Sequence, residues 1–353
     1  MVPRGPKPGR RTVQMPRSRY RLALMAVVAL VAVISVVRFV GGSEAATGES
    51  KALPAATVTP ADPPVLSGGA EQPSVDQEPV DQAPSDAAPA PAPSPVLHAT
   101  LSPGDGEVVG IGMPAVITFD RPVAAADRPA VEERLTVSAN PPTDGAWRWI
   151  SPARIHWRPA AYWQPGTEVA VHSDLRGLQV GDASGADERT IHFRIGDAHV
   201  TTVDVATHQM TVTQNGQVVR VIPVSTGRSR YPTNNGVHLA LEKSRTVTMD
   251  SSTVGIPRNS PGGYLRKVAW ATRLSYSGTY VHAAPWSAGA QGERNVSHGC
   301  INASTADAQW FYNFTRRGDV VDVVNSPAPP KLSDPGMSDW NIPWEKWKAG
   351  DTA

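Results

Sequence analysis

The sequence predicts an all-β fold, mainly strands with one principal helix. Three observations predict it. Short runs of alternating apolar and polar residues recur from about Leu97 onward, among them AVITFD (115–120), EVAVHS (168–173) and TIHFRI (190–195). Clusters of Pro, Gly, Asn and Asp separate them, as at 102–106 and 140–142. A single long stretch, Thr305 to Arg316, has helical spacing, with Ala308, Phe311, Tyr312 and Thr315 on one side. Ser304 followed by Asp307 reads as its N-terminal cap, and Gly318 as its end.

The chain of 353 residues is long enough for two domains plus non-globular segments. Residues 1–21 hold seven basic side chains, Arg4 to Arg21, and no acid. The apolar run 22–40 follows and is near the length that spans a bilayer. The basic flank predicts a cytoplasmic N-terminus and a single-pass anchor in the cell membrane, with the remainder extracytoplasmic. The alternative is a cleaved signal peptide ending near Ser43-Glu44-Ala45. Residues 41–96, rich in Pro and Ala and free of aromatics, read as a disordered linker.

Residues 97–196 read as an antiparallel β-sandwich with a short helix at Pro129 to Leu135. Its Trp147, Trp149 and Trp157 suit core packing, with glycan binding as the alternative. Residues 197–325 continue in strands. Within them 209–225 reads as a hairpin turning at Asn215-Gly216, the strongest short hairpin signal. The tail 326–353 carries Trp340, Trp344 and Trp347, expected to pack on the domain before it. Net charge is +1, which argues against a polyanion binder, so no nucleic-acid partner is expected. One cysteine excludes an intrachain disulfide.

Chemistry concentrates in Ser297-His298-Gly299-Cys300-Ile301-Asn302, with His282 upstream in Tyr280-Val281-His282. A cysteine used for acyl transfer needs a base and backbone donors for an oxyanion. Gly299 admits close approach of a substrate, and the N–H groups of Gly299 and Cys300 are candidate oxyanion donors. A neighbouring imidazolium would lower the thiol pKa. Two other readings stay open on the residues alone. Cys300 suits a buried structural role, and Cys300 with His282 and His298 makes three zinc ligands lacking a fourth.

S-H-G-C-I-N with the upstream Y-V-H resembles the active-site motif of the L,D-transpeptidases, whose catalytic domain is of the YkuD type. MDSST (249–253), NSPGGY (259–264), WAT (270–272), SYSG (275–278), APWS (284–287), QWFY (309–312) and DWNIPW (339–344) resemble the mycobacterial and actinobacterial branch. The resemblance spans about 97–350. It implies an immunoglobulin-like β-sandwich followed by a YkuD-type catalytic domain.

The resemblance also implies a reaction. Cys300 attacks the amide between meso-diaminopimelate and D-Ala in a peptidoglycan tetrapeptide stem, D-Ala leaves, and the thioester passes to another stem's diaminopimelate amine as a 3→3 cross-link. The partners implied are donor and acceptor stems and, as covalent inhibitors, carbapenem β-lactams; no cofactor and no metal is implied. His282 is implied as the base. Ser297, His298, Gly299 and Asn302 form the active-site loop, and Tyr264, Met249, Trp286 and Ala283 the substrate pocket. Ala283 stands where many members carry Ser, and Val254 where some carry a pocket tyrosine. The alternatives are an L,D-carboxypeptidase, with water in place of the amine, and a non-catalytic wall-binding scaffold.

Overall fold

The computed structural model describes residues 95–332 and 338–350. The expected basic stretch 1–21, the apolar run 22–40 and nearly all of the linker 41–96 lie outside them. Among the described residues no helix is long and apolar enough to cross a membrane.

The first domain runs through β1 (Val96–Leu97), β2 (Ala99–Ser102), β3 (Glu107–Val109), β4 (Ala115–Phe119), α1 (Arg128–Glu132), β5 (Leu135–Asn140) and β6 (Gly145–Ser151). It continues through β7 (Arg154–Pro159), β8 (Glu168–Asp174), β9 (Gln179–Val180), β10 (Ala183–Gly185) and β11 (Glu188–Ile195). Two four-stranded sheets, ordered β2-β4-β7-β6 and β3-β11-β8-β5, pool their buried side chains in one core. Strict alternation produces this. In β4 Ala115, Ile117 and Phe119 are buried between half-exposed neighbours, and in β8 Val169 and Val171 are. Trp149 stacks on Phe119 and Trp157 on Trp163, so both belong to the core. The sandwich is not wholly antiparallel: β3 pairs with β11, and β1 with β10, in parallel. Most of the domain's chain separates β3 from β11, so no tight turn forces them antiparallel.

The second domain contains β12 (His199–Asp204), β13 (Gln209–Gln214), β14 (Gln217–Pro223), β15 (Gly236–Leu239), β16 (Lys243–Asp250) and β17 (Leu265–Arg273). β18 (Tyr280–Ala283), β19 (Ile301–Ala303), α2 (Thr305–Phe314) and β20 (Val320–Val324) follow. One sheet is ordered β14-β13-β12-β20-β15 and the other β16-β17-β18-β19. Val203, Met210 and Ile222 from the first meet Val281 and Ile301 from the second and Phe311 from α2 in a single core. The β13–β14 turn falls at Asn215 (φ 50°) and Gly216 (φ 80°), as the sequence predicts. The Ser304 hydroxyl accepts the Asp307 N–H at 3.1 Å, capping α2. α2 ends at Phe314 because Thr315 is extended. Lys243 Nζ donates to the freed carbonyls of Tyr312 and Thr315.

The two domains meet tightly. A Cβ on Gly110 would lie 2.2 Å from the Asp319 nitrogen, so only glycine fits, and Arg317 pairs with Glu107 at 2.8 Å. The tail does not pack as expected. Asn341 does bind the Val237 backbone of β15 through both side-chain atoms, but the tryptophans lie on the sandwich. Trp347 Nε1 donates to the Ala146 carbonyl and Trp340 Nε1 to that of Gly112. Arg158 of β7 lies 4.6 Å over each of the Trp340 and Trp347 rings, and buried His156 bonds Asp339 at 2.8 Å. Arg158 gives the tail indoles a cationic partner on the sandwich while Asn341 holds β15, so the tail bridges both domains.

Candidate active site

Strand register assembles the site. β18 and β19 run parallel with His282 opposite Asn302. Side chains alternate along strands, so Val281, Ala283, Ile301 and Ala303 face the core and are almost completely buried. His282 and Asn302 face the other way, and Cys300, two residues before Asn302, falls on their side. Cys300 immediately precedes β19, and its thiol and the His282 imidazole open on the same cleft. A cleft of about 390 Å³ opens over this face. All the expected site residues except Ala283 and Gly299 line it: Met249, Tyr264, His282, Trp286, Ser297, His298, Cys300 and Asn302.

His282 is buried, and its Nδ1 donates to the Ala283 carbonyl at 2.9 Å. That bond puts the proton on Nδ1 and leaves Nε2 as a lone-pair acceptor. Burial holds its pKa down at about 4. The Ala283 carbonyl bond works against the shift, and the charge of Arg266 adds to it. Cys300 is half-buried, its S–H directed at the Gly278 carbonyl, 3.6 Å away. Desolvation of the thiol pushes its pKa up to about 11, against a smaller opposing effect of a hydrogen bond with the Tyr280 backbone. The resting pair is therefore neutral thiol and neutral imidazole. The expectation of an imidazolium that lowers the thiol pKa is corrected, because desolvation at this depth disfavours both charges.

The loop before Cys300 is clamped by Ser297. Its hydroxyl donates to the Cys300 carbonyl at 2.6 Å and accepts the Gly299 N–H at 3.0 Å. This clamp requires Gly299 at φ +116°, which a side chain would strain. It also corrects the expected pair of oxyanion donors, since the Gly299 N–H is already engaged. Asn302 Nδ2 donates to Ser287 Oγ at 3.1 Å and so ties β19 to the turn 285–290.

Those bonds put residues 297–300 in one clamped loop that shares a cleft with His282. The model of the L,D-transpeptidase catalytic domain matches residues 198–323, and that of a bacterial Ig domain matches 81–179. L,D-transpeptidase 1 of Mycobacterium tuberculosis is 42% identical over 226 residues, 64% of this chain and 84% of that protein. The chain belongs to the L,D-transpeptidase family. L,D-transpeptidase 2 of the same organism is 45% identical over 261 residues. That match takes in 74% of this chain and 64% of the relative's length. A solved LD transpeptidase in complex with imipenem superposes with a TM-score of 0.57 at 41% identity, over 66% of this chain and 100% of that one.

The remaining site residues of this family member have partners of their own. His298 lies between the Tyr231 and Tyr264 rings, and its Nε2 accepts from Arg228 Nη2 at 2.6 Å. Desolvation first, and Arg228 second, lower its pKa. That lone pair is committed, and among the described residues no three His, Cys, Asp or Glu side chains gather as metal ligands, so the zinc reading fails on geometry. Tyr264 is held through its backbone to Ser251, and desolvation raises its pKa. Trp286 stacks at 6.0 Å on His282. Val254 stands exposed against Gly278 and does not line the cleft. Sequence reasoning missed Arg266 and Arg294, which do line it, and Arg228 and Tyr231, which hold His298. Alternation along β17 from Tyr264 was a signal for Arg266; the others carried none.

Proposed function

We propose that this chain is an L,D-transpeptidase that forms 3→3 cross-links between peptidoglycan stems through a Cys300 thioester. The observation that carries the reading is the single cleft lined by Cys300, just before β19, and by tautomer-fixed His282 of β18. His282 Nε2 takes the thiol proton as sulfur attacks the diaminopimelate carbonyl. Proton transfer in step with attack suits a pair that rests uncharged. The Cys300 N–H faces the developing oxyanion in this reading. The C–N bond to D-Ala then breaks, the imidazolium returns its proton to the leaving amine, and D-Ala departs. An acceptor stem's amine gives its proton to His282 and displaces the thiol. Carbapenems acylate the same sulfur by ring opening, in keeping with the imipenem complex of the solved relative.

The apolar run 22–40, with its basic flank, supports tethering to the cell membrane with the catalytic part outside. Resistance of the protein to carbonate extraction from membranes supports the tether; full release contradicts it.

Incubation with a disaccharide-tetrapeptide, followed by mass spectrometry, tests the reaction. A dimer lighter by one D-Ala is expected. Tripeptide alone would mean carboxypeptidase action, and unchanged substrate would contradict both.

A further inference from the structure

A second depression, of about 440 Å³, lies on the first domain and shares no lining residue with the cleft over Cys300. It opens on the outward face of the β3-β11-β8-β5 sheet. Alternation places it there: Val169, Val171 and Phe193 are buried in the sandwich core, so Glu168, Ala170, His192 and Arg194 face out. Register sets two rungs across β5, β8 and β11. Asn140, Glu168 and Arg194 form one, and Ser138, Ala170 and His192 form the next. Ala170 carries only a methyl group, so it makes a floor between taller side chains. Neighbouring rungs of the same face are closed internally. His172 Nδ1 bonds the Thr190 hydroxyl at 2.9 Å, and Arg176 pairs with Asp174 at 2.9 Å and with Glu188 at 2.6 Å. The rung of Glu168 and Arg194 is different. These residues stand directly opposite, in a register that brings Cβ atoms within about 5.5 Å. Yet among the described residues neither forms an ion pair or a side-chain hydrogen bond, and the side chains of Ser138 and Asn140 have no partner either. His192 alone has a charged neighbour there, Asp105 at 3.7 Å.

A ligand that completes this rung brings an anion to Arg194 and a cation to Glu168, close together. An α-amino acid holds such a pair on one carbon, as carboxylate and ammonium. We propose that the depression binds the zwitterionic far end of diaminopimelate on a stem not yet cross-linked, its carboxylate on Arg194 and its ammonium on Glu168, with Ser138 and Asn140 bonding the stem's amides. The choice of this stem rests on the transpeptidase reading above. A depression of this size suits a drug-sized ligand, which favours a stem over a lone amino acid such as released D-Ala. Glu168 and Arg194 cancel in charge, which disfavours polyanions and polycations. Cross-linking turns the ammonium into an amide, so a stem leaves the site once its amine has reacted. The first domain thereby holds the enzyme on wall that still offers acceptors.

Calorimetric titration of the purified protein, its Cys300 acylated by a carbapenem to close the cleft, tests the site. The probes are the tetrapeptide stem, the stem with that amine acetylated, the stem with that carboxylate amidated, and a disaccharide lacking the stem. The free stem should bind about tenfold or more tighter than either blocked stem. Glu168→Gln should erase the penalty for acetylation and keep most of that for amidation, and Arg194→Gln should do the reverse. Ala170→Leu, which fills the floor and touches no charge, should weaken binding of every stem. Rising salt should weaken the free stem most. Free and blocked stems binding within about threefold of one another overturns the proposal. So does survival of both penalties in both Gln variants, or a disaccharide that binds as tightly as the stem. Intact mass after carbapenem treatment reads the transpeptidase reading separately. An adduct without stem preference sinks this site alone. No adduct sinks the transpeptidase reading, and the titrations then use Cys300→Ala, where the matched losses still report the depression because Glu168 and Arg194 lie outside the cleft.

Discussion

The Nδ1 of His282 donates to the carbonyl of Ala283, the very next residue, at 2.9 Å. A backbone group therefore orients the imidazole, and the Ala283 side chain points into the core. Ala283→Ser should keep the rate of carbapenem acylation within about threefold, whereas His282→Gln should cut it about 10²- to 10⁴-fold. Stopped-flow fluorescence of acylation checks both. A large loss in the Ser variant would show that the side chain matters.

Burial sets the pH dependence. The ordinary His value of 6.5 falls to about 4 in the fold, so the base form persists well below neutrality. Acylation should show no inflection between about pH 5.5 and 8 and should decline only towards pH 4. The linked stability has a definite sign. Below 6.5 the unfolded chain binds a proton that folded His282 refuses until about 4, so stability falls as pH drops through that window. The loss is on the order of 3 kcal/mol for this buried group. Denaturant midpoints at pH 7 and 4.5 should show a smaller drop for His282→Asn than for wild type.

Ser297 closes the loop that presents Cys300, with one bond to its carbonyl and one from Gly299. Ser297→Ala removes both, about 1 kcal/mol each, and should slow acylation by about tenfold or more with the far-UV spectrum unchanged. An unchanged rate would mean that the loop holds without the clamp.

The tail is a structural strap. Trp347 is fully buried, with its indole N–H on Ala146 and Arg148 and Arg158 against its ring. Trp347→Ala should destabilise the protein by about 3–5 kcal/mol, read by urea denaturation. A loss under about 1 kcal/mol would show that the tail is only loosely docked.

Local chemistry explains what the sequence revealed. Asn215-Gly216 names its own turn, Ser304 and Asp307 name the start of α2, and the 297–302 motif with His282 names residues that line one cleft. The remainder depends on contacts between distant residues. Arg158 draws the tail tryptophans onto the sandwich from some 180 positions away, and Arg228 reaches His298 across 70 residues. No spacing rule encodes such meetings. The neutral state of Cys300 and His282 likewise depends on burial, which strand pairing creates only once the sheet has formed.

Intact-mass spectrometry of the wild type and Cys300→Ala after carbapenem treatment tests whether Cys300 is the nucleophile. One covalent adduct is expected on the wild type and none on the variant. An adduct on the variant, or an unmodified wild type, would contradict it.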